Sequence, residues 1–188
     1  SGGESDPRNI VDLIWFPTGG GKTGAYLGLA ACSIFYRRLN NPSSDGCCIL
    51  TRYTLRLLTS QQFQRAASMI CACEILRREN QSELGASPIS IGLWLGGSSS
   101  PNKRADSKSR LSDWMRDRGE NPYQLISCPW CGTALDDRDK PGYRQKNAAS
   151  PMQFVCPDNR CSFSSRSSCL PVSVVDEDIY ESPPTMIV

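Results

Sequence analysis

Two groups of residues have the types and spacing to do chemistry. In the first, Pro17-Thr18-Gly19-Gly20-Gly21-Lys22-Thr23, a side-chain-free turn runs into a cation and a hydroxyl. Glycines there let successive backbone N–H groups converge on phosphate oxygens, and the positive end of a following helix adds to them. In such a loop Thr18, Gly19, Gly20 and Gly21 form the cradle, Lys22 neutralises the β- and γ-phosphates of ATP, and the Thr23 hydroxyl ligates Mg2+. Phe16 stands where the eight-residue form of this motif has glycine. The second group is sulfur. Cys128-Pro129-Trp130-Cys131-Gly132 holds two thiols separated by two residues, and Cys156 and Cys161 follow, separated by four. Such pairs offer four thiolates to tetrahedral Zn2+, a closed shell with no place for water, so the expected role is structural. Cys169 is a spare that fits a knuckle less well, while Cys32, Cys47, Cys48, Cys71 and Cys73 lie in apolar segments, where a thiol acts as a small hydrophobe.

The remaining composition narrows the field. The 188 residues contain no histidine, which excludes His-dependent triads and His-ligated zinc within this chain. A formal charge of +2 means that any basic surface must be local. No stretch approaches the roughly 18 apolar residues that span a bilayer, so no membrane partner is expected. Ser1-Gly2-Gly3-Glu4-Ser5-Asp6 has neither a basic start nor an apolar segment to follow it, so no secretory leader is expected and the cytoplasm is the expected compartment. A reducing compartment favours metal over disulfide for the paired cysteines.

The elements that must position these groups alternate. Ile10–Phe16 reads as a buried strand, Thr23–Leu39 as a helix stopped by Asn40-Asn41-Pro42, and Gly46–Thr51 as a second strand. Ser60–Arg78 carries apolar residues at helical spacing, and Ile89–Leu95 is a third strand closed by Gly96-Gly97. Strand–helix alternation of this kind predicts an α/β fold, a parallel sheet with helices on both faces. Ser98–Asn102 then reads as a loop, Lys103–Arg118 as a charged helix, and β-like character returns at Val172 and again at Thr185–Val188. The expected division is a first part of the α/β lobe over 1–97, an insertion over 98–170 with a zinc ribbon at 128–161, and a return to the sheet over 171–188.

This order resembles the first RecA-like lobe of superfamily 2 helicases, whose motif I reads P-T-G-x-G-K-T as at Pro17–Thr23. Thr51-Arg52-Tyr53-Thr54-Leu55-Arg56 with Gln61-Gln62 matches motif Ia loosely, and Gly96-Gly97 matches the doublet ending the third strand. The run Trp15–Arg78, Cys-Pro-Trp-Cys-Gly at 128–132 and Val175-Asp176-Glu177-Asp178-Ile179-Tyr180 are similar to the helicase subunit of bacterial DISARM anti-phage systems. The resemblance implies a RecA-like phosphate-loop sheet and an ATP-dependent DNA helicase or translocase of which this chain holds the ATP-grasping part. It implies that Arg52, Tyr53, Arg56, Gly96 and Gly97 touch the backbone of a single strand or duplex junction, with other defence subunits as partners. It also places the hydrolytic Asp-Glu beyond Val188, so that turnover by this chain alone would be very weak. The local charge is consistent: residues 52–78 hold five arginines against Glu74 alone.

Two other readings stay open. Val174-Val175-Asp176-Glu177-Asp178 is an apolar stub ending in acids, so the chain could be a self-contained small phosphate-loop NTPase using Asp176 and Glu177. It could equally be a non-catalytic zinc-bearing module for nucleic acid or a partner, presenting Arg138, Lys140, Arg144 and Lys146.

Overall fold

A computed structural model of the chain describes residues 21–52, 56–95, 100–166 and 168–188, with residues 56–60 as backbone alone. The strand expected at 10–16 lies outside them.

The first described helix, α1 (Lys22–Asn40), follows Gly21 in the left-handed conformation (φ 74°). It carries Arg37 and Arg38 in its last turn, where cations complement the negative end of the helix. Its buried residues Ala30, Ile34 and Arg38 recur at four-residue spacing and face inward along one narrow stripe. Strand β1 (Ile49–Leu50) comes next, then α2 (Arg56–Glu79), which buries Phe63, Ala66, Ala67, Ile70, Cys71 and Cys73. The short α3 (Gln81–Leu84) ends at Gly85, whose φ of 82° suits glycine and where a Cβ would lie 1.8 Å from the Pro42 carbonyl oxygen. Strand β2 (Ile91–Gly92) and helix α4 (Arg104–Met115) follow. A β3–β4 hairpin (Tyr143–Arg144 with Gln153–Phe154) pairs antiparallel. The chain closes with β5 (Val172–Ser173), α5 (Asp176–Glu181) and β6 (Met186–Ile187).

The fold is α/β. Among the described residues four strands form a parallel sheet in the order β1-β6-β2-β5, flanked by helices. Strand β6 lies between β1 and β2, with Met186 beside both Ile49 and Ile91, so β1 and β2 do not touch. The ladder reaches past the named strands: Cys48 N–H donates to Thr185 O (2.8 Å), Thr51 N–H to Ile187 O (2.8 Å), and Trp94 N–H to Val188 O (2.9 Å).

The strands are nonetheless shorter than the apolar runs 46–51 and 89–95 predict. Their partners enter at Pro171 and Pro184, which have no N–H to donate and shorten each ladder at its start. The charged helix is likewise shorter than 103–118, ending at Met115, and Asp117 adopts a positive φ of 59° just beyond it.

A continuous core joins these parts. Ile34, Phe63, Ile70, Ile91 and Met186 belong to the same buried cluster as Leu111, Trp114, Tyr123, Leu125, Phe154 and Phe163. Tyr123, Tyr143 and Phe154 meet edge to face at 4.9–5.7 Å between ring centres, and Trp114 meets Tyr143 edge to face at 5.4 Å.

Candidate metal centre

Cys128, Cys131, Cys156 and Cys161 converge so that all four sulfurs lie within 4.8 Å of one another. Two local turns achieve this. A bridge between Ser127 and Ala134 closes the first, with Gly132 N–H donating to Cys128 O (2.8 Å) at a positive φ of 81° that glycine tolerates. The N–H groups of Trp130 and Cys131 point at the Cys128 sulfur. In the second turn Cys161 N–H donates to Asp158 O (2.9 Å), and Cys156 N–H donates to Phe163 O (2.8 Å). Cys169, the spare thiol, is not part of the cluster.

The distances identify the chemistry the quartet fits. Sulfurs of Cys131 and Cys156 are 3.4 Å apart, and those of Cys128 and Cys161 3.9 Å. A disulfide needs about 2.05 Å, whereas four sulfurs at about 2.3 Å from a tetrahedral ion are separated by about 3.8 Å. Cys128 is pushed far above the ordinary thiol value, chiefly by burial, and Cys161 to about 11 for the same reason. At Cys131 burial also acts upward, but hydrogen bonds from Thr133 and the neighbouring thiols bring it down to about 7. Thiolates so close together repel one another, and a divalent cation among them removes that repulsion. The donor set and spacing fit Zn2+, held by Cys128, Cys131, Cys156 and Cys161.

The quartet is docked on α2 at two places. Gln64 donates to the Ser127 hydroxyl (3.2 Å) and carbonyl (3.3 Å). Further along, the Arg78 guanidinium lies 5.1 Å over the Phe163 ring and donates to the Ser168 hydroxyl, while Phe163 meets Trp130 edge to face at 6.2 Å. Neither Gln64 nor Arg78 stands out in the sequence, because their partners are 63 and 90 residues away.

The other sequence-derived candidates divide. Thr18, Gly19, Gly20, Tyr53, Gly96 and Gly97 lie outside the described residues, and Arg56 is described as backbone only. Gly21 caps α1, Gly24 N–H donates to Gly21 O (3.0 Å), and Lys22 and Thr23 are half-buried in the first turn, which contains no acid. Arg52 and Arg65 are exposed. The basic segment 52–78 is weaker than its sequence implies. Arg77, 4% exposed, donates to both Glu74 carboxylate oxygens at 2.8 Å, and Arg78 donates to the same group at 2.8 Å. Glu74 precedes them by three and four residues, the spacing at which helical side chains meet, so that signal was available.

The acids at 176–178 make tertiary ties. Glu177 accepts from the Arg104 N–H (2.8 Å), capping α4, and Asp178 accepts from the Arg104 side chain (2.5 Å) and the Met152 N–H (3.0 Å). Asp176 is buried, its Oδ1 has no hydrogen-bond partner among the described residues, and burial raises its pKa against an opposing bond with Trp94. Of the basic residues noted in the insertion, Arg138 pairs with Asp117 across the Trp114 ring.

Among the described residues no helix is long and apolar enough to cross a membrane. No protein-family profile matches the chain. The chain is homologous to the DISARM protein DrmA of Bacillus paralicheniformis, with 41% identity over 197 aligned positions, covering 98% of this chain and 17% of that protein. It therefore spans about a sixth of the length of the relative it matches.

Proposed function

We propose that this chain, homologous to one stretch of a DISARM defence protein, is a non-catalytic, zinc-clamped module that binds nucleic acid within a longer protein. The observation carrying this reading is the four-sulfur cluster within 4.8 Å, fastened to α2 by Gln64 and Arg78. Zn2+ there fixes the turns around Cys128 and Cys156 and so the surface that the insertion over 98–170 offers, without chemistry of its own. Glu177 and Asp178 agree with a binding role, since they hold the start of α4 and the Met152 N–H just before β4. Elemental analysis of the purified chain should give one zinc per molecule, falling to well under half in Cys156→Ser. A wild type whose stability is unchanged by removing the metal would overturn the reading.

A second reading rests on Gly21, Lys22 and Thr23. The left-handed cap at Gly21 with Lys22 and Thr23 in the first turn of an acid-free helix supports ATP and Mg2+ binding in a RecA-like lobe of a DNA helicase or translocase. In that lobe Arg52, Tyr53, Arg56, Gly96 and Gly97 would follow the DNA backbone, and residues 1–97 and 171–188 would be parts of the same sheet domain. The helicase activity, its cytoplasmic setting and its defence-complex partners are proposals of this second reading. Titration with Mg-ATP tests it: binding that disappears in Lys22→Ala supports it, and no heat of binding in the wild type removes it.

A further inference from the structure

The insertion bears a cleft of about 580 Å3 lined by four cations and by no carboxylate. Lys108 from α4, Arg144 and Lys146 from the β3 end of the hairpin, and Arg166 from the turn after the second cysteine pair line it, together with Gln153 and Ser150. No carboxylate is among its lining residues. The hairpin register sets Arg144 opposite Gln153. Lys108 donates to the Gln145 carbonyl (2.6 Å), and Arg144 to the carbonyls of Pro141 (2.5 Å) and Tyr143 (3.0 Å). A carbonyl orients a cation but carries no compensating charge, so these groups remain electrostatically available. Lys146 and Arg166 have no ion-pair partner among the described residues.

The distribution of charge along the chain agrees. Residues 98–170 contain twelve basic and eight acidic side chains, whereas the rest of the chain contains nine basic and eleven acidic. All the net positive charge is thus in the segment that holds the cleft. Of its apolar lining residues Leu111 and Tyr143 are buried, and Pro151 is exposed. Four cations with no carboxylate among them call for an anion, and the amide and hydroxyl donors between them suit repeating phosphodiester groups.

We infer that the cleft formed by Lys108, Arg144, Lys146 and Arg166 seats a single-stranded nucleic-acid backbone without reading its bases. This rests on the proposed nucleic-acid-binding role of the module and assigns that role to a cleft whose lining does not include Arg52. Arg166 follows Cys161 by five residues, in a turn closed by the Ser165–Ser168 bridge.

The experiment is fluorescence anisotropy of a labelled twenty-nucleotide oligo-dT with the intact chain over a series of salt concentrations. Lys146→Ala with Arg166→Ala changes two exposed side chains, so zinc content and helicity should match the wild type. Affinity should fall roughly tenfold and the slope of log affinity against log salt should lessen by about 1.4, two single-strand contacts. Wild-type binding that the double variant keeps, with the same slope, overturns the cleft but leaves the module's function standing. If the wild type binds no oligonucleotide, the functional reading and the cleft both fail. Competition by polyglutamate at equal charge concentration would show an acidic-polypeptide site and overturn the inference.

Discussion

The Glu74 carboxylate, 1% exposed, collects Arg77, Arg78 and the Ile89 N–H, each at 2.8 Å, and so ties the end of α2 to the start of β2. Burial alone would raise its pKa, but the hydrogen bonds from Arg77, the Ile89 N–H and Arg78 prevail and hold it below the usual carboxylate value. A folded-state pKa below the unfolded one stabilises fully above the unfolded value, and the contribution is lost as pH falls through the folded value. Glu74→Gln should therefore cost about 3–5 kcal/mol at neutral pH, because Arg77 is left buried and uncompensated. Urea denaturation at descending pH should show the gap between wild type and variant closing below about pH 4.3. Equal stability of the two proteins at pH 7 would mean the pair contributes nothing.

Among the elements, α4 and α5 depend on one another. Glu177 supplies the acceptor that the α4 N-terminus lacks, since Lys103 at the cap position makes no side-chain hydrogen bond. Glu177→Ala should lower stability by about 1 kcal/mol, the usual cost of a lost helix cap, measured by thermal unfolding. The same variant separates readings: a self-contained NTPase would lose its turnover, a binding module would show none to lose. Central strand β2 is equally constrained. A Cβ on Gly92 would meet Pro184 Cγ at 2.7 Å and Ile179 Cδ1 at 3.2 Å, so Gly92→Ala should destabilise by about 1–3 kcal/mol through overpacking. The alternation of strands and helices was legible because each periodicity is local. Strand order was not, because the apolar run at 185–188 says that it is a strand but carries nothing about which neighbours it joins. The cysteine quartet was legible for the same reason as the helices, its spacing being short within each pair. The cleft residues, drawn from positions 108, 144, 146 and 166, are assembled only by packing.

Across the whole molecule, the sheet and the sulfur cluster share one buried core, which runs from Ile34 through Phe63 and Trp114 to Phe163. Zinc removal should therefore not melt the insertion alone. A chelator is expected to lower the midpoint of a single unfolding transition, seen together in far-ultraviolet ellipticity from α1 and α2 and in the fluorescence of Trp114 and Trp130. Two separated transitions would show that the insertion folds independently.

The placement of β6 between β1 and β2 has a kinetic side. Thr51 and its partner Ile187 are 136 residues apart, and the cysteine turns are synthesised between them. As the chain leaves the ribosome, β1 and β2 must wait with bare backbone edges until the sulfur cluster has been made and passed. On the proposed zinc role, a shortage of metal during translation would lengthen the time those edges stay open to aggregation or proteases. The proposed role then predicts that a cell starved of zinc accumulates less of this protein even where the messenger is unchanged.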